Sequence, residues 1–483
     1  MKKYITVLMI MIIIISQRIQ AQNSSPTERC IPCEKLAGLT LPDVRITSAE
    51  KVTTVKPHCK VFGVIGKEIK FEVLLPDDWN NIFIMGGGGG FVGTIQNAAR
   101  SSVNQGFATS GTDTGHDGSK SPGAEWALNN MERQLNFGHL AVHRTAEVSK
   151  AIIQSYYGSH PEFSYFIGCS RGGGQAMMEA QRYPEDFDGI VVGAPAFSWT
   201  AIAAEAVQNT QAVYPAGFSK PLLTDDHIRI LQEAVLRQCD MTDGVKDSIL
   251  NNPADCKFDF SSLPKCPGDV HGKECFTTAQ INAIKKIYEG ADAGHGITYP
   301  GFPYGGEYEP GGWMTWIVGS VEIAKKNIYP SLHSYFGIEI FKYLILQDPG
   351  WDYTLYDFRG YEKELRYAAA YLDATSTDYS GFRDRKGKII FWHGWNDPAL
   401  SAFATIDHYN AVKKADPDVS NYMRLYLLPG VLHCGGGEGP SGVDWIALIR
   451  DWVEKNIAPD KIIAVKNVSG KIVMSRPVFP YPY

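Results

Sequence analysis

An α/β architecture, with its sheet interrupted by one long insertion, is predicted by three observations. Short apolar runs alternate with helix-forming segments as far as Pro195. From about Phe197 to Arg385 that alternation is lost, and Gly, Pro, Trp and Tyr accumulate together with four cysteines and an acidic loop. The alternation resumes with Lys388-Ile389-Ile390-Phe391-Trp392-His393-Gly394. The chain therefore divides into an N-terminal segment 1–21, a first α/β part 22–196, an inserted lid 197–385 and a second α/β part 386–483.

Taken in order, Met1 to Ala21 carries Lys2 and Lys3, an apolar run from Tyr4 to Ile15 and a small residue at its end. The run is shorter than the roughly 18 apolar residues a membrane span needs, so it reads as a cleavable signal and the protein as secreted or periplasmic. Residues 61–115 hold the opening strands. Phe71 to Leu75 alternates toward Pro76, and Ile82-Phe83-Ile84-Met85 runs into five glycines, Gly86 to Gly90. Bare backbone after a strand leaves N–H groups for close approach to a ligand. The loop lacks the Lys-Ser/Thr ending of a phosphate-binding Walker motif. Phe107 to Gly111 reads as a further strand entering a polar turn, and Leu140 to Tyr157 as a helix.

Phe163 to Met178 follows: an apolar strand, then Gly168-Cys169-Ser170-Arg171-Gly172, then a helix-forming stretch. A G-x-S-x-G pattern between strand and helix is the signature of a nucleophile elbow, with glycines where the sharp turn leaves no room for a Cβ. This makes the α/β fold one of the α/β-hydrolase type. Ser170 is the candidate nucleophile, and the N–H of Arg171 with that of Gly88 or Gly89 the candidate oxyanion donors. In this architecture acid and base follow in that order. Asp397 lies just past the resumed strand, and His433 follows Leu425 to Gly430, a strand and turn. An imidazole is required because a serine hydroxyl needs a base near neutral pKa, and a carboxylate fixes its tautomer.

The 483 residues carry a net charge of -6, 44% hydrophobic and 20% charged residues. Such a balance fits a globular protein and offers no basic field for nucleic acid. No segment after the N-terminal run is long and apolar enough to span a membrane. Nine cysteines in an exported chain favour disulfides, with at least one left unpaired. Spacing suggests Cys239 with Cys256 and Cys266 with Cys275. Cys169 and Cys434 flank the candidate serine and histidine; they are either a bridge tying the two loops together or two buried thiols.

GGGGFVG near 87, SGTDTGH at 110, GCSRGGGQAM at 168, CDMTDGVKDSIL at 239, HGWNDPALS at 393 and LPGVLHCGGG at 428 together resemble the tannase and feruloyl esterase family, which also contains a mono(2-hydroxyethyl) terephthalate esterase. The resemblance covers nearly the whole chain beyond the N-terminal segment. It implies hydrolysis of aromatic-acid esters by Ser170, Asp397 and His433, a Cys169–Cys434 bridge and a Cys33–Cys59 bridge that leaves Cys30 over. It also implies a structural Ca²⁺ in the lid, held by Asp240, Asp243, Asp247 and the carbonyls of Val245 and Ile249. By itself that segment, three carboxylates within eight residues, reads as readily as a solvated acidic turn. Phe479 stands where relatives often carry a cysteine. The expected substrates are small aromatic esters or aromatic acids esterified to plant polymers, hydroxycinnamic esters first and gallate or terephthalate monoesters next. A catalytically silent aromatic-ligand binding protein is the alternative from another class.

Overall fold

In the computed structural model the apolar runs pair much as their patterning dictates. It describes residues 30–53, 56–120, 123–292 and 298–482; the N-terminal stretch read as a signal lies outside them. The first strands are β1 (Val44–Val52), β2 (His58–Ile65), β3 (Ile69–Pro76), β4 (Ile82–Gly86) and β5 (Ala108–Thr112). There follow β6 (Phe163–Ser170), β7 (Gly189–Pro195), β8 (Gly290–Asp292), β9 (Thr298–Pro300), β10 (Lys388–Gly394), β11 (Met423–Leu428), β12 (Ile462–Val468) and β13 (Lys471–Val478). Nine of them form one sheet in the order β1-β2-β3-β5-β4-β6-β7-β10-β11.

Strand chemistry matches position in that sheet. On β2 every second residue, from Cys59 to Ile65, is buried, as suits an antiparallel strand with one covered face. β4 and β7 lie in the parallel part and are buried throughout. Their residues alternate between two cores: Phe83 and Met85 face one side with Val192 and Phe391, whereas Ile82 and Ile84 face the other with Val191, Ile390 and Trp452.

Two helices frame the elbow strand. After the short α1 (Met131–Leu135), α2 (Ala141–Tyr157) buries Ala146, Ile152, Ile153 and Tyr156 and ends on Gly158 in the left-handed conformation. The next helix, α3 (Arg171–Arg182), starts directly from Ser170. Gly168 is obligatory here: a Cβ on it would stand 2.4 Å from the Gly172 carbonyl oxygen.

β10 pairs in parallel with β7, Phe391 opposite Val192. Between these neighbours, the described residues of the inserted segment add no strand to the main sheet. They supply α4 (Trp199–Val213), α5 (Asp225–Cys239), α6 (Thr278–Glu289), α7 (Trp313–Trp316), α8 (Val321–Asn327), α9 (Leu332–Ile340) and the β8–β9 hairpin. α6 opens with a capping box of Thr277 and Gln280. The end of the insertion packs back on the elbow helix, with the Gln181 and Arg182 side chains donating to the carbonyls of Ala374 and Ala370. No helix among the described residues is long and apolar enough to cross a membrane.

Candidate active site

Ser170 ends β6 with φ 61° and ψ −122°, a conformation rarely tolerated by a residue with a side chain. The sheet holds it there: the Ala196 N–H donates to the Ser170 carbonyl oxygen at 2.9 Å, while α3 leaves in the opposite sense. A serine so placed presents its hydroxyl at the carboxyl edge of the parallel strands, next to the helix N-terminus begun by Arg171.

The loops after β10 and β11 bring the other two expected residues together. His433 Nδ1 lies 2.8 Å from Asp397 Oδ2. The opposite carboxylate oxygen accepts from the N–H groups of Ala399 at 2.8 Å and Leu400 at 3.1 Å. His393 adds a second imidazole, its Nε2 3.1 Å from Asp397 Oδ2 and 3.0 Å from the Leu400 carbonyl, its Nδ1 2.8 Å from the Thr405 hydroxyl. Only an Nε2–H tautomer satisfies both acceptors, with the threonine hydroxyl donating to Nδ1. Burial alone would push Asp397 up, but the charge of His433 and the hydrogen bonds from His393 and His433 outweigh it and hold the carboxyl well below the carboxylate range. A carboxylate on Nδ1 leaves His433 Nε2 as the acceptor for a proton. The Ser170 hydroxyl and His433 line one cavity without a direct hydrogen bond between them; such contacts commonly tighten only when substrate binds.

The glycine loop departs from expectation. The Gly88 N–H donates to Gln175 Oε1 at 3.1 Å and the Gly89 N–H to Gln96 Oε1 at 2.7 Å, so neither is free for an oxyanion. The glycine of this loop that borders the Ser170 cavity is Gly90, at φ 55°. Arg171 has a buried guanidinium: it lies over the rings of Phe137 and Trp199 at 4.4 and 5.2 Å and donates to the Phe137 and Gly138 carbonyls. It therefore ties the elbow to the helical turn 136–140 and to the start of α4 rather than facing substrate as a free cation.

The cavity itself is aromatic and aliphatic. Trp199, Ile202, Trp316, Phe336, Ile340 and Leu400 line it beside Ser170 and His433. The Trp316 ring meets the His433 imidazole edge-on, 4.9 Å between centroids. His333 also lines the wall, its pKa lowered by burial to about 4, so that it stays neutral. Another insertion residue, Glu309, spans the loops after β10 and β11, accepting from Asn396 Nδ2 and from the Glu438 N–H, each at 3.1 Å. Sequence patterning had singled out neither Glu309 nor His393. The His393 signal was present in HGWNDP, four positions before Asp397.

Four disulfides are formed among the described residues: Cys33–Cys59, Cys169–Cys434, Cys239–Cys256 and Cys266–Cys275. Cys30 is free and exposed. The second joins the residue before Ser170 to the residue after His433 across 265 positions, with Cα atoms 5.9 Å apart.

The acidic loop does not present a gathered metal site as it stands. Asp240 Oδ1 accepts from the Ser248 and Asp247 N–H groups at 2.8 and 3.3 Å. Asp243 accepts from the Val245 and Asn251 N–H groups, and Asp247 is bonded to the Arg476 guanidinium and to the Ile249 N–H. Among the described residues these three carboxylates do not form a convergent cluster. Their all-oxygen chemistry suits a hard cation, but this arrangement does not fit one without movement of Arg476.

Fold and site together define a carboxylic ester hydrolase of the α/β kind. A family profile for tannase and feruloyl esterase matches residues 51–483, and the chain belongs to that family. It is 30% identical to the mono(2-hydroxyethyl) terephthalate hydrolase of Piscinibacter sakaiensis, over 88% of this chain and 81% of that protein. Similarity to feruloyl esterase B of Aspergillus niger is 28%, over 85% and 79%. In structure it resembles an esterase from Aspergillus oryzae, with a TM-score of 0.82, 25% identity and coverage of 93% and 95%.

Proposed function

We propose that this protein hydrolyses esters of hydroxycinnamic and related aromatic acids through an acyl-enzyme on Ser170. The observation that carries this reading is the cavity, where Ser170 and His433 sit among Trp199, Trp316 and Phe336. A flat acyl group stacked there places its carbonyl carbon beside the hydroxyl. His433 takes the Ser170 proton as the tetrahedral intermediate forms and delivers it to the departing alcohol; water then repeats the sequence in reverse. Asp397 stabilises the imidazolium, and the Arg171 N–H with the Gly90 edge of the glycine loop receives the oxyanion, each donor worth about 3–4 kcal/mol.

The apolar wall favours a methoxylated hydroxycinnamoyl group over the alternatives. A gallate carries three hydroxyls, and a terephthalate monoester a carboxylate that needs a cation, whereas the Arg171 guanidinium on this wall is spent on main-chain carbonyls. Turnover of methyl ferulate, methyl gallate and mono(2-hydroxyethyl) terephthalate by the wild type and by Ser170→Ala tests this. Ferulate release in the wild type alone supports the reading; preferential turnover of either other ester contradicts it.

The same reading makes segment 197–385 a lid that sets substrate choice, and export follows from the N-terminal stretch together with four disulfides. Calcium would bind the 240–249 loop as a structural ion only once Arg476 left Asp247. Melting in excess Ca²⁺ against chelator is the test, a higher midpoint with Ca²⁺ being expected and unchanged melting refuting it.

A further inference from the structure

On the hydrolase layer, away from the cavity, α2, α3 and the turn after α3 bring together His143, Glu179 and Asp186, one ligand atom of each lying within 4.8 Å of the others. Glu179 is 1% exposed and Asp186 4% exposed. Neither oxygen of Glu179 meets a hydrogen-bond donor, and the group that faces it is the Asp186 carboxylate. The nearby Lys150 ammonium is engaged with the Asp186 main-chain carbonyl rather than with the Glu179 carboxylate. Two buried carboxylates facing one another without a donor between them require a proton or a cation. The third member is an imidazole: His143 Nδ1 stands 2.6 Å from Asp186 Oδ2.

We propose that His143, Glu179 and Asp186 form a binding site for a divalent transition metal of the Zn²⁺ class. One imidazole and two carboxylates are a borderline donor set that suits Zn²⁺ better than Ca²⁺ or Mg²⁺, which prefer all-oxygen sites. With the metal on Nδ1, the proton of His143 sits on Nε2, which faces Glu147 Oε2 at 3.5 Å, the carboxylate–histidine–metal relay that orients such ligands. The ring is further held by stacking on Tyr183, 3.9 Å between centroids and 7° from parallel. On binding, the short His143–Asp186 contact opens so that both atoms lie about 2.0–2.2 Å from one ion. The His143 side chain is 18% exposed, which gives the ion a way in and leaves a fourth position for water. Glu179 lies eight residues after Arg171, about 12 Å along α3, so the ion clamps α2 to the elbow helix and takes no part in the ester chemistry.

The test uses the full protein, stripped with chelator and dialysed. Zn²⁺ is titrated by calorimetry, bound metal is counted by mass spectrometry, and Co²⁺ serves as a visible-absorption probe of an imidazole–carboxylate shell. One equivalent is expected, with affinity reduced about 100-fold or more in Glu179→Gln and in the more accessible His143→Gln. Esterase turnover should be unchanged in both. If Glu179→Gln fails to fold, His143→Gln alone decides. No stoichiometric binding, or binding that both variants retain, overturns the proposal and leaves the two carboxylates sharing a proton.

Discussion

Asp397 and Glu179 are both 1% exposed, yet their surroundings shift their pKa values in opposite directions. Around Asp397, two N–H groups and two imidazoles more than offset burial. At Glu179 burial acts first, and the adjacent Asp186 carboxylate adds to it, so its pKa is raised well above 4.5. What decides the charge of a buried carboxylate is the set of donors aimed at it, not depth. One of the two is held as an anion beside His433, the other is left wanting a proton or a metal.

Removing the anion should have the largest effect. Asp397→Asn keeps the shape but loses the charge that fixes the His433 tautomer, and we expect kcat to fall about 10⁴-fold with little change in KM, read from steady-state kinetics. Glu179→Gln should leave both constants near wild type. Equal losses in the two variants would break the comparison.

Next in size is the bridge between Cys169 and Cys434. In the chain-entropy model a loop of this length is worth about 5 kcal/mol. Cys169→Ser/Cys434→Ser should lower the midpoint of denaturant unfolding and reduce activity by loosening the His433 turn. Unchanged activity in the folded double variant would show that the turn is held by Glu309 and the sheet alone.

The pH dependence of stability sharpens the contrast. Asp397 is depressed, so its contribution is present above its unfolded pKa and is lost only as the pH falls through its lower folded value. Glu179 is raised: between 4.5 and its folded pKa only the native state holds the proton, so stability declines as pH rises. In metal-free protein, Glu179→Gln should flatten that decline above pH 4.5 by up to about 1.4 kcal/mol per pH unit. Melting profiles of wild type and variant would read it, and identical slopes would refute the assignment. The smallest effect expected is on substrate fit, where Trp316→Ala should raise KM for methyl ferulate about 10-fold by opening the wall beside His433.

Ser170, Asp397 and His433 were legible because the elbow needs glycines at fixed spacing and the three follow a set order along the strands. Adjacency of Cys169 and Cys434 to that serine and histidine left a bridge or two buried thiols open; the family resemblance implied the bridge, and it is formed. The direction of single N–H groups was not legible: the glycine run pointed to Gly88 or Gly89, whose N–H groups are taken by Gln175 and Gln96. The aromatic wall comes from α4, α7 and α9, where burial on several sides erases any simple periodicity. His143, Glu179 and Asp186 are spread over two helices and a turn with no motif to link them.

In the proposed mechanism Ser170 carries the aromatic acid as an ester during turnover. The most direct test is rapid quenching of the enzyme with methyl ferulate, followed by peptide mass mapping. A feruloyl adduct is expected on the peptide carrying Ser170, absent in Ser170→Ala and formed far more slowly in His433→Ala, which lacks the base for acylation. Ferulate release at wild-type rate by Ser170→Ala, or an adduct on another residue, would contradict it.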